Sequence, residues 1–467
     1  MLQLWNTLHR KLEDFTPIKE DEVGVYTCGP TVYDRVHIGN LRAFTFEDIL
    51  QRTLIMEGYH VKRVMNITDV GHLVSDADDG EDKMQKRATK IGRNAWDIAK
   101  ECEQSFRADI RDLNILTPEF LPRATDHIQE QIALVQVLEK KGFTYKTSDG
   151  IYFDTSKLPS YGKLSGQKLE EKEAGARVEL NEEKRNGTDF ALWKFSPTNE
   201  KRDMEWESPW GVGFPGWHLE CSAMAEKYLG QPFDIHCGGV DHIAVHHENE
   251  IAQSEAANGK PLANYWLHNE FITVDGKKMS KSLGNGYTLQ DIRDHGIDPI
   301  AFRYFCLGAH YRSKLNFTWE ALEGAQSVLD KLRRWVFAYK SDTKELYGEC
   351  KIVTVEHSST MNAFKKALED DLNTPKCLAF LHSLFTNQAL DSHQVYATMI
   401  KMDDVLGLGM ADWKEDEIPE DIQSLLKDRS LARQNKNWSE SDRLRDLLKE
   451  KGWLVEDSAQ GSSLRKL

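Results

Sequence analysis

Hydrophobic and polar residues alternate in the first half of the chain in a way that predicts strands and helices in turn. Short, β-rich apolar runs stand at 23–27, 60–68 and 233–239. The segment from about 37 to 57 has the three-to-four-residue apolar spacing of a helix. A strand, a helix and a strand in such quick succession indicate a βαβ unit and therefore a parallel sheet.

Further elements follow the same two periodicities. Helices are predicted over 91–114, 124–141 and 246–257, a strand over 270–274, and a β-hairpin over 143–155 that turns at Ser148-Asp149-Gly150. Residues 163–187 are charged and poor in apolar residues, so we expect a mobile loop there. The predicted sheet is thus interrupted by an insertion at 111–205.

The pattern becomes almost purely helical after residue 318. Amphipathic helices are predicted over 318–340, 356–369, 374–386 and 395–407, which together indicate a helical bundle. A linker at 407–421, two more helices and a short terminal piece complete the chain.

Composition narrows the class of protein. The chain has 467 residues, 40% of them hydrophobic, and a net charge of −15. This argues against disorder and against broad, non-specific nucleic-acid binding, although 425–467 hold ten Lys or Arg against seven Asp or Glu. No apolar run is long enough to span a bilayer, and the N-terminus lacks a signal-like apolar core. We expect a soluble cytoplasmic protein without membrane attachment.

Two short motifs carry the first chemical signal. "HIGN" (37–40) stands where the first strand passes into the first long helix, and a helix N-terminus favours a phosphate. "KMSKS" (278–282) is a lysine-rich loop after a strand, and lysine suits a pyrophosphate whose charge grows as a bond breaks. Taken singly, a turn glycine beside a surface histidine and a solvated basic loop explain them as well. Their joint occurrence argues against coincidence.

These two motifs resemble the signature sequences of the class I aminoacyl-tRNA synthetases. The segments "YTCGPTVYD" (26–34), "GWHLECSAM" (216–224), "HHENEIAQS" (246–254) and "ANYWLHN" (263–269) resemble the cysteinyl-tRNA synthetase family in particular, as does "ARQNKNWSESDRLRDLL" (432–448). With the element pattern, the resemblance implies an α/β fold with a Rossmann-like catalytic domain (1–110 and 206–275) and a connective insertion (111–205). It further implies a signature-loop and stem-contact region (276–317), the helical bundle (318–406) and a small anticodon-binding domain (407–467).

The resemblance also implies a zinc ion, one per chain, bound by Cys28, Cys221, His246 and Glu250. His246 and Glu250 are four residues apart on a predicted helix and share one face, and two sulfurs, one imidazole and one carboxylate suit tetrahedral zinc. Taken separately, these residues are better explained as buried apolar cysteines and an exposed helix pair. The seven cysteines of the chain are scattered, which argues against a disulfide framework.

For the remaining site residues, the resemblance implies roles in a reaction of L-cysteine, ATP with Mg²⁺ and tRNA(Cys) in a monomeric enzyme. Catalytic roles fall on His37, Asn40, Lys278 and Lys281; ATP contacts on His37, Gly39, Asn40, Gly239, Asp241 and Lys281; and cysteine contacts on Gly29, Thr31, Asn66, Thr68 and Trp217. Trp217 is also compatible with a simple core aromatic.

Two departures from the family pattern stand out. Asn40 replaces the second signature histidine; asparagine still donates a hydrogen bond to phosphate but carries no charge, so we expect activity with a different pH response. His242 and Val245 stand where leucine and proline are expected.

Two other functions remain to be weighed against a cysteine–tRNA ligase. A related ligase uses the same cysteinyl-adenylate chemistry on an amino sugar, but it needs no anticodon domain, so 405–467 argue against it. A non-catalytic tRNA- or zinc-binding protein would have decayed signatures, whereas the histidine of "HIGN" and both lysines of "KMSKS" are present.

Overall fold

A computed structural model describes residues 1–71, 83–166, 183–197, 202–279, 284–347, 359–386, 390–415, 418–458 and 461–466. The chain forms two compact units, Met1–Met410 and Ala411–Leu467. Most of the loop predicted at 163–187 lies outside the described residues, as does Lys281.

The strands of the first unit are short, as is usual for globular proteins. They are β1 (Gln3–Asn6), β2 (Lys11–Asp14), β3 (Glu22–Thr27), β4 (His60–Met65), β5 (Thr144–Lys146), β6 (Gly150–Phe153), β7 (Phe190–Phe195), β8 (Gly213–Pro215), β9 (Phe233–Gly239), β10 (Ala263–Asn269), β11 (Ile272–Val274), β12 (Lys277–Lys278) and β13 (Leu315–Phe317).

The described helices of this unit alternate with the strands at first and then follow one another. They are α1 (Ile38–Met56), α2 (Lys83–Ile91), α3 (Ala95–Asp112), α4 (Ile128–Lys140), α5 (Trp217–Leu229), α6 (His246–Asn258), α7 (Leu289–Asp294), α8 (Pro299–Leu307), α9 (Trp319–Tyr347), α10 (Ser359–Glu369), α11 (Thr374–Ser383) and α12 (Ser392–Leu406). Among the described residues, no helix combines the length and apolar character that crossing a bilayer requires.

The central sheet is parallel, in the order β10-β9-β3-β4, which confirms the predicted α/β fold class. Helix α1 connects β3 to β4 and is largely buried, as expected for a crossover helix that covers a parallel sheet. The chain runs from β3 to β4 on one side and from β9 to β10 on the other. The carboxyl ends of β3 and β9 therefore flank a switch point, where α/β sheets bind ligands.

Two predicted elements need correction. The strand predicted at 270–274 is observed as β11, but it belongs to a separate sheet, β12-β11-β13, and β10 is the strand that completes the parallel sheet. The helix predicted over 91–114 is observed as α3, which begins only at Ala95 because Gly92 adopts a left-handed φ of 65° and the Asn94 side chain caps the helix. The helix α2 before it is not predicted from the pattern.

A second sheet is antiparallel in the order β5-β6-β7-β8, and it contains the predicted hairpin as β5 and β6. Its first three strands lie within 111–205, and β8 follows that range. Its aromatic residues Phe153, Phe190 and Trp193 share one hydrophobic core with Met224 of α5 and Ile251 of α6. Helices α5 and α6 are thus packed on both sides, which fixes the side chains that they carry toward the central sheet.

The predicted bundle helices are observed as α9 to α12. A buried ion pair ties α8 to α1: the Arg303 guanidinium donates to Asp48 at 2.5 Å and to the carbonyl of Leu406 at 2.7 Å. Asp48 also accepts from Arg52 at 2.8 Å and from the backbone N–H of Leu116 at 2.7 Å. The long helix α1 is therefore anchored at its middle to three other parts of the unit.

The second unit consists of α13 (Glu420–Gln434), α14 (Trp438–Glu450) and an antiparallel hairpin, β14 (Trp453–Ser458) and β15 (Gly461–Lys466). No strand is predicted there from the apolar pattern. The Trp453 ring belongs to the core of the hairpin and helices, whereas Trp438 is exposed. Arg429 holds both oxygens of Asp457, at 2.9 and 2.8 Å, and so fixes β14 to α13.

Candidate active site and metal centre

A cavity of about 1040 Å³ opens at the carboxyl ends of the central strands. Its described walls include nearly every residue that the sequence analysis selects. They are Cys28, Gly29, Thr31, His37, Gly39, Asn40, Asn66, Thr68, Trp217, Cys221, Gly239, Asp241, His246 and Lys278. Glu250 lies behind this wall, fully buried, and Lys281 lies outside the described residues.

Four donor groups meet at the bottom of this cavity. Cys28 follows β3 directly, Cys221 lies in the first turns of α5, and His246 and Glu250 share one face of α6. One ligand atom from each of the four residues lies within 4.8 Å of the others. Zinc bonds of about 2.0–2.3 Å give ligand separations inside that limit, so the donor set fits a zinc ion.

The charges in this cluster point the same way. Glu250 is fully buried, and its two oxygens lie 2.9 Å from His246 Nε2 and 2.8 Å from His236 Nε2. Burial opposes ionisation, but the rings of His236 and His246 hold the pKa of Glu250 well below its usual range. Burial also raises the pKa of the Cys28 thiol well above its usual value. A cation bound between them would favour the ionised forms of both the Glu250 carboxylate and the Cys28 thiol.

A second grouping shares two of these donors: Cys28, Glu250, His236 and His247. His236 Nε2 lies 2.8 Å from Glu250 Oε2, and His247 Nε2 lies 3.2 Å from Cys28 Sγ. Neither imidazole lines the cavity, so a metal bound by this set is harder for a substrate to reach. Sequence reasoning missed both histidines, although "HHENE" places His247 next to His246.

Four of the predicted cysteine-contact residues lie in the loops that follow the carboxyl ends of β3 and β4. Gly29 donates its backbone N–H to the side-chain oxygen of Asn66 at 2.8 Å. A Cβ at Gly29 would lie 1.8 Å from the carbonyl oxygen of Asn66, so only glycine fits there. Thr31 and Thr68 form an isolated backbone bridge, which brings the two loops together.

One carboxylate beside these residues was missed by the sequence analysis. Glu220 lines the cavity, is fully buried and accepts a short hydrogen bond from the Thr68 hydroxyl. Asn66 donates to Thr68 Oγ1 at 2.9 Å, which completes a polar chain across the cavity wall. The only sequence signal for Glu220 is its position directly before Cys221.

Trp217 begins α5 and lies against the donor cluster. Its ring centroid is 4.6 Å from that of His246, and it lines the same cavity. His242, one of the two departures from the family pattern, lies edge-on to Trp217 with centroids 6.4 Å apart. The aromatic wall is thus in place to contact a ligand at the cluster.

The first signature forms the N-terminal cap of α1. The backbone N–H of Asn40 donates to His37 Nδ1 at 3.3 Å, and the backbone N–H of His37 donates to Asn40 Oδ1 at 3.2 Å. This reciprocal capping box fixes both side chains at the positive end of the helix, beside the cavity. Asn40 therefore has a structural task that its neutral amide performs well.

Gly239, Asp241 and Lys278 also line the cavity. Gly239 ends β9, and Asp241 follows in a single helical turn. Lys278 is exposed on β12, and its carbonyl accepts from the Asn285 side chain at 3.3 Å. The cavity is thus lined by three members of the donor cluster, by a helix N-terminus and by a lysine.

Comparisons with known proteins place the chain in a family. Residues 14–327 match a family model described as tRNA synthetases class I (C) catalytic domain, and residues 415–465 match the cysteinyl-tRNA ligase anticodon binding domain. Among solved structures, the methionyl-tRNA synthetase of Mycobacterium tuberculosis with methionyl-adenylate is similar, with a TM-score of 0.57 and 14% identity. That likeness covers 84% of this chain and 90% of the other, and it shows the class I fold.

Curated relatives extend over the whole chain. Cysteine–tRNA ligase 1 of Burkholderia lata is 50% identical over 99% of this chain and 96% of its own length. Cysteine–tRNA ligase of Treponema denticola is 43% identical over the full length of both. The chain therefore belongs to the cysteinyl-tRNA synthetase family of class I aminoacyl-tRNA synthetases.

Proposed function

We propose that this chain is a cytoplasmic, monomeric ligase that activates L-cysteine with ATP to cysteinyl-adenylate and transfers the cysteinyl group to tRNA(Cys). One observation carries the proposal: a Cys₂HisGlu donor cluster opens into the same cavity that the N-terminus of the signature helix lines. A sulfur-containing substrate at the cluster thus shares one cavity with a helix N-terminus that suits a nucleotide phosphate.

Cys28, Cys221, His246 and Glu250 are the proposed zinc ligands. Cys28, Cys221 and His246 line the cavity, whereas His236 and His247 of the competing set do not, and a substrate sulfur reaches only the cavity side. His236 then orients Glu250 from behind, as outer partners of metal ligands generally do. When bound there, zinc offers a coordination position that a thiolate fills far better than a hydroxyl.

The other residues position the reactants. The walls around the substrate are formed by Gly29, Thr31, Asn66, Thr68 and Trp217. For ATP, the proposed contacts are His37, Gly39 and Asn40 at the helix N-terminus, with Gly239 and Asp241 toward the nucleoside. Lys278, with Lys281, stabilises the departing pyrophosphate, and Mg²⁺ accompanies ATP. In this arrangement the chain contributes orientation and charge stabilisation to both steps.

The amino-sugar ligase is not favoured. Its acceptor requires no anticodon contact, whereas 415–465 match an anticodon binding domain and the relatives that cover the full chain are tRNA ligases. The proposed partner of this domain is tRNA(Cys).

Cysteine-dependent exchange of pyrophosphate into ATP tests the proposal directly. We expect exchange with cysteine and little with serine, together with one zinc per chain by metal analysis and charging of tRNA(Cys). Exchange that charges an amino sugar but no tRNA would restore the alternative. A protein without exchange, when its zinc content is full, would contradict the enzyme function.

The neutral Asn40 leads to a prediction about pH. In Asn40→His, a group with an ordinary pKa of about 6.5 joins the phosphate end of the cavity. We expect the rate of exchange in this variant to gain an inflection between pH 6 and 7, with only a few-fold change at pH 8. The wild-type profile, measured beside it, is expected to lack that inflection. Identical profiles would show that position 40 does not contact the phosphates.

A further inference from the structure

We propose that Arg42 is a positioning residue for the adenylation step: it fixes the cavity wall that carries Lys278 to the helix that carries His37. The proposal rests on the proposed function of the cavity, and it concerns a residue that touches neither substrate nor metal cluster.

Arg42 lies in α1, one turn after Gly39, and is 3% exposed. Its guanidinium donates to the carbonyl oxygens of Glu270 at 2.9 Å, Phe271 at 2.6 Å and His310 at 3.3 Å, and also to that of Ser313. Among the described residues, no carboxylate pairs with it. Burying the Arg42 charge without a counter-charge costs free energy of desolvation. No ion pair with a described residue accounts for its position, so its role lies in the carbonyl groups that it binds.

The four carbonyls belong to two segments that lead into neighbouring strands. Glu270 and Phe271 precede β11, and His310 and Ser313 precede β13, which is parallel to β11. The two strands therefore begin around one guanidinium. Further links join the same segments, since Leu315 donates to the carbonyl of Phe271 and Glu270 to that of Tyr311.

The small sheet held in this way forms part of the cavity. Ile272 and Thr273 of β11 and Lys278 of β12 line it, and Thr273 is paired with Lys278. The helix and the sheet are in close approach, because a Cβ added at Gly39 would lie 3.4 Å from Cγ2 of Ile272. Gly39 and Arg42 lie on the same face of α1, so that face contacts β11 at two successive turns.

The chain after Lys278 returns to the same helix. Ile38, the first residue of α1, donates its N–H to the carbonyl of Tyr287 at 2.8 Å. The segment that contains Lys278 is thus attached to α1 before and after, by the Arg42 side chain and by this backbone bond. Such attachment sets the distance between the phosphate contacts of His37 and Lys278.

Only arginine satisfies this geometry. A guanidinium presents five donors in a flat fork, which reaches acceptors on two strands at once, whereas lysine presents three donors from one atom. Arg42→Lys keeps the charge and loses the fork. A shift of about 1 Å in a reacting group lowers rates by about 10²-fold, so we expect kcat for exchange to fall 10- to 100-fold.

The experiment compares Arg42→Lys with Arg52→Lys. Arg52 lies on the same helix and also donates to carbonyls, those of Asp404 and Asn114, but away from the cavity. Both variants are assayed for cysteine-dependent exchange, with active sites counted by the burst of adenylate formation. For Arg42→Lys we expect a lower kcat per active site, unchanged zinc content and a KM for cysteine within twofold of wild type. For Arg52→Lys we expect kcat unchanged.

A double-mutant cycle with Lys278→Ala gives a second, independent readout. If Arg42 acts through the strand of Lys278, the loss from Lys278→Ala is smaller in the Arg42→Lys background than in wild type. Fewer active sites with a normal kcat per site, or additive losses, would reduce Arg42 to a structural residue and overturn the proposal. Absence of exchange in wild type would instead contradict the proposed function.

Should Arg42→Lys not fold, Arg42→Gln is the second variant, because it removes the buried charge together with the fork. The same per-site kcat and the same cycle with Lys278→Ala then decide the question.

Discussion

Replacing Cys221 with serine is expected to lower kcat/KM for cysteine by about 10⁴-fold, because losing a specific buried contact costs far more than a change of shape. The Cys221 sulfur is one of two in the proposed zinc set and is 1% exposed, so nothing else replaces it. Serine hydroxyl is a poor zinc ligand at neutral pH, which removes the metal and with it the partner of the substrate sulfur.

The effect on ATP is expected to be small. The proposed phosphate contacts are His37, which caps α1, and Lys278 of β12. Neither α1 nor β12 contains a proposed zinc ligand. We therefore expect the KM for ATP to stay within about twofold while the zinc content falls from one per chain toward zero. Zinc is measured by metal analysis, and the two substrates are titrated separately in the exchange assay.

Cys237→Ser is the matched control. Cys237 of β9 is also fully buried, but it belongs to neither donor grouping and does not line the cavity. The same sulfur-to-oxygen change there is expected to cost some stability, leaving zinc content and the KM for cysteine intact. Equal losses of cysteine and ATP affinity in Cys221→Ser would contradict the role of the cluster in recognising the substrate sulfur.

Part of this site was predictable because its residues lie at strand ends and helix starts. The apolar run of β3 predicts where the strand stops, and Cys28 follows it directly. The four-residue spacing predicts that His246 and Glu250 share a face of α6. The family resemblance supplied the rest, since no spacing rule links Cys221 to residues almost two hundred positions away.

Other features depend on long-range packing and left no local pattern. β10 contains His268 and Asn269 as well as Trp266, so its apolar pattern is weak, yet it is buried because it pairs with β9. The hairpin β14–β15 is held by Trp453 and by the buried Arg429, whose partner Asp457 looks like a surface residue. Glu220 and Arg42 are polar residues on buried helix faces. Their partners lie far away in the sequence, so no local pattern predicts their roles.

Replacing Asp48 with asparagine is expected to lower the free energy of unfolding of the first unit by about 3–5 kcal/mol, the usual cost of breaking a buried ion pair. Asp48 and Arg303 are both fully buried and 2.5 Å apart. Asparagine keeps the shape but leaves the Arg303 charge without a counter-charge. The measurement is urea denaturation followed by tryptophan fluorescence, with Glu22→Gln as control, because Glu22 pairs with Lys19 at the surface and is expected to change little.

The pH dependence of the stability difference distinguishes the loss of the Asp48 charge from a loss of packing. Burial opposes the charge of Asp48, but Arg303 and Arg52 hold its pKa below the ordinary value of about 4. A lowered pKa gives stability that is present above that ordinary value and is lost as the pH falls further. The difference between wild type and Asp48→Asn is therefore expected to be constant from pH 5 to 8 and to shrink below pH 4.

The exchange activity of Asp48→Asn shows whether the Asp48–Arg303 ion pair also affects the cavity. Asp48 lies in the middle of α1, whereas His37 and Arg42 lie at its start. At a temperature well below the unfolding midpoint, we expect the exchange rate per active site to match wild type, because the attachments of Arg42 and Ile38 still hold the cavity wall. A pH-independent stability difference would show that packing rather than charge holds α1 at Asp48, and a reduced rate per site would show that the cavity depends on this anchor too.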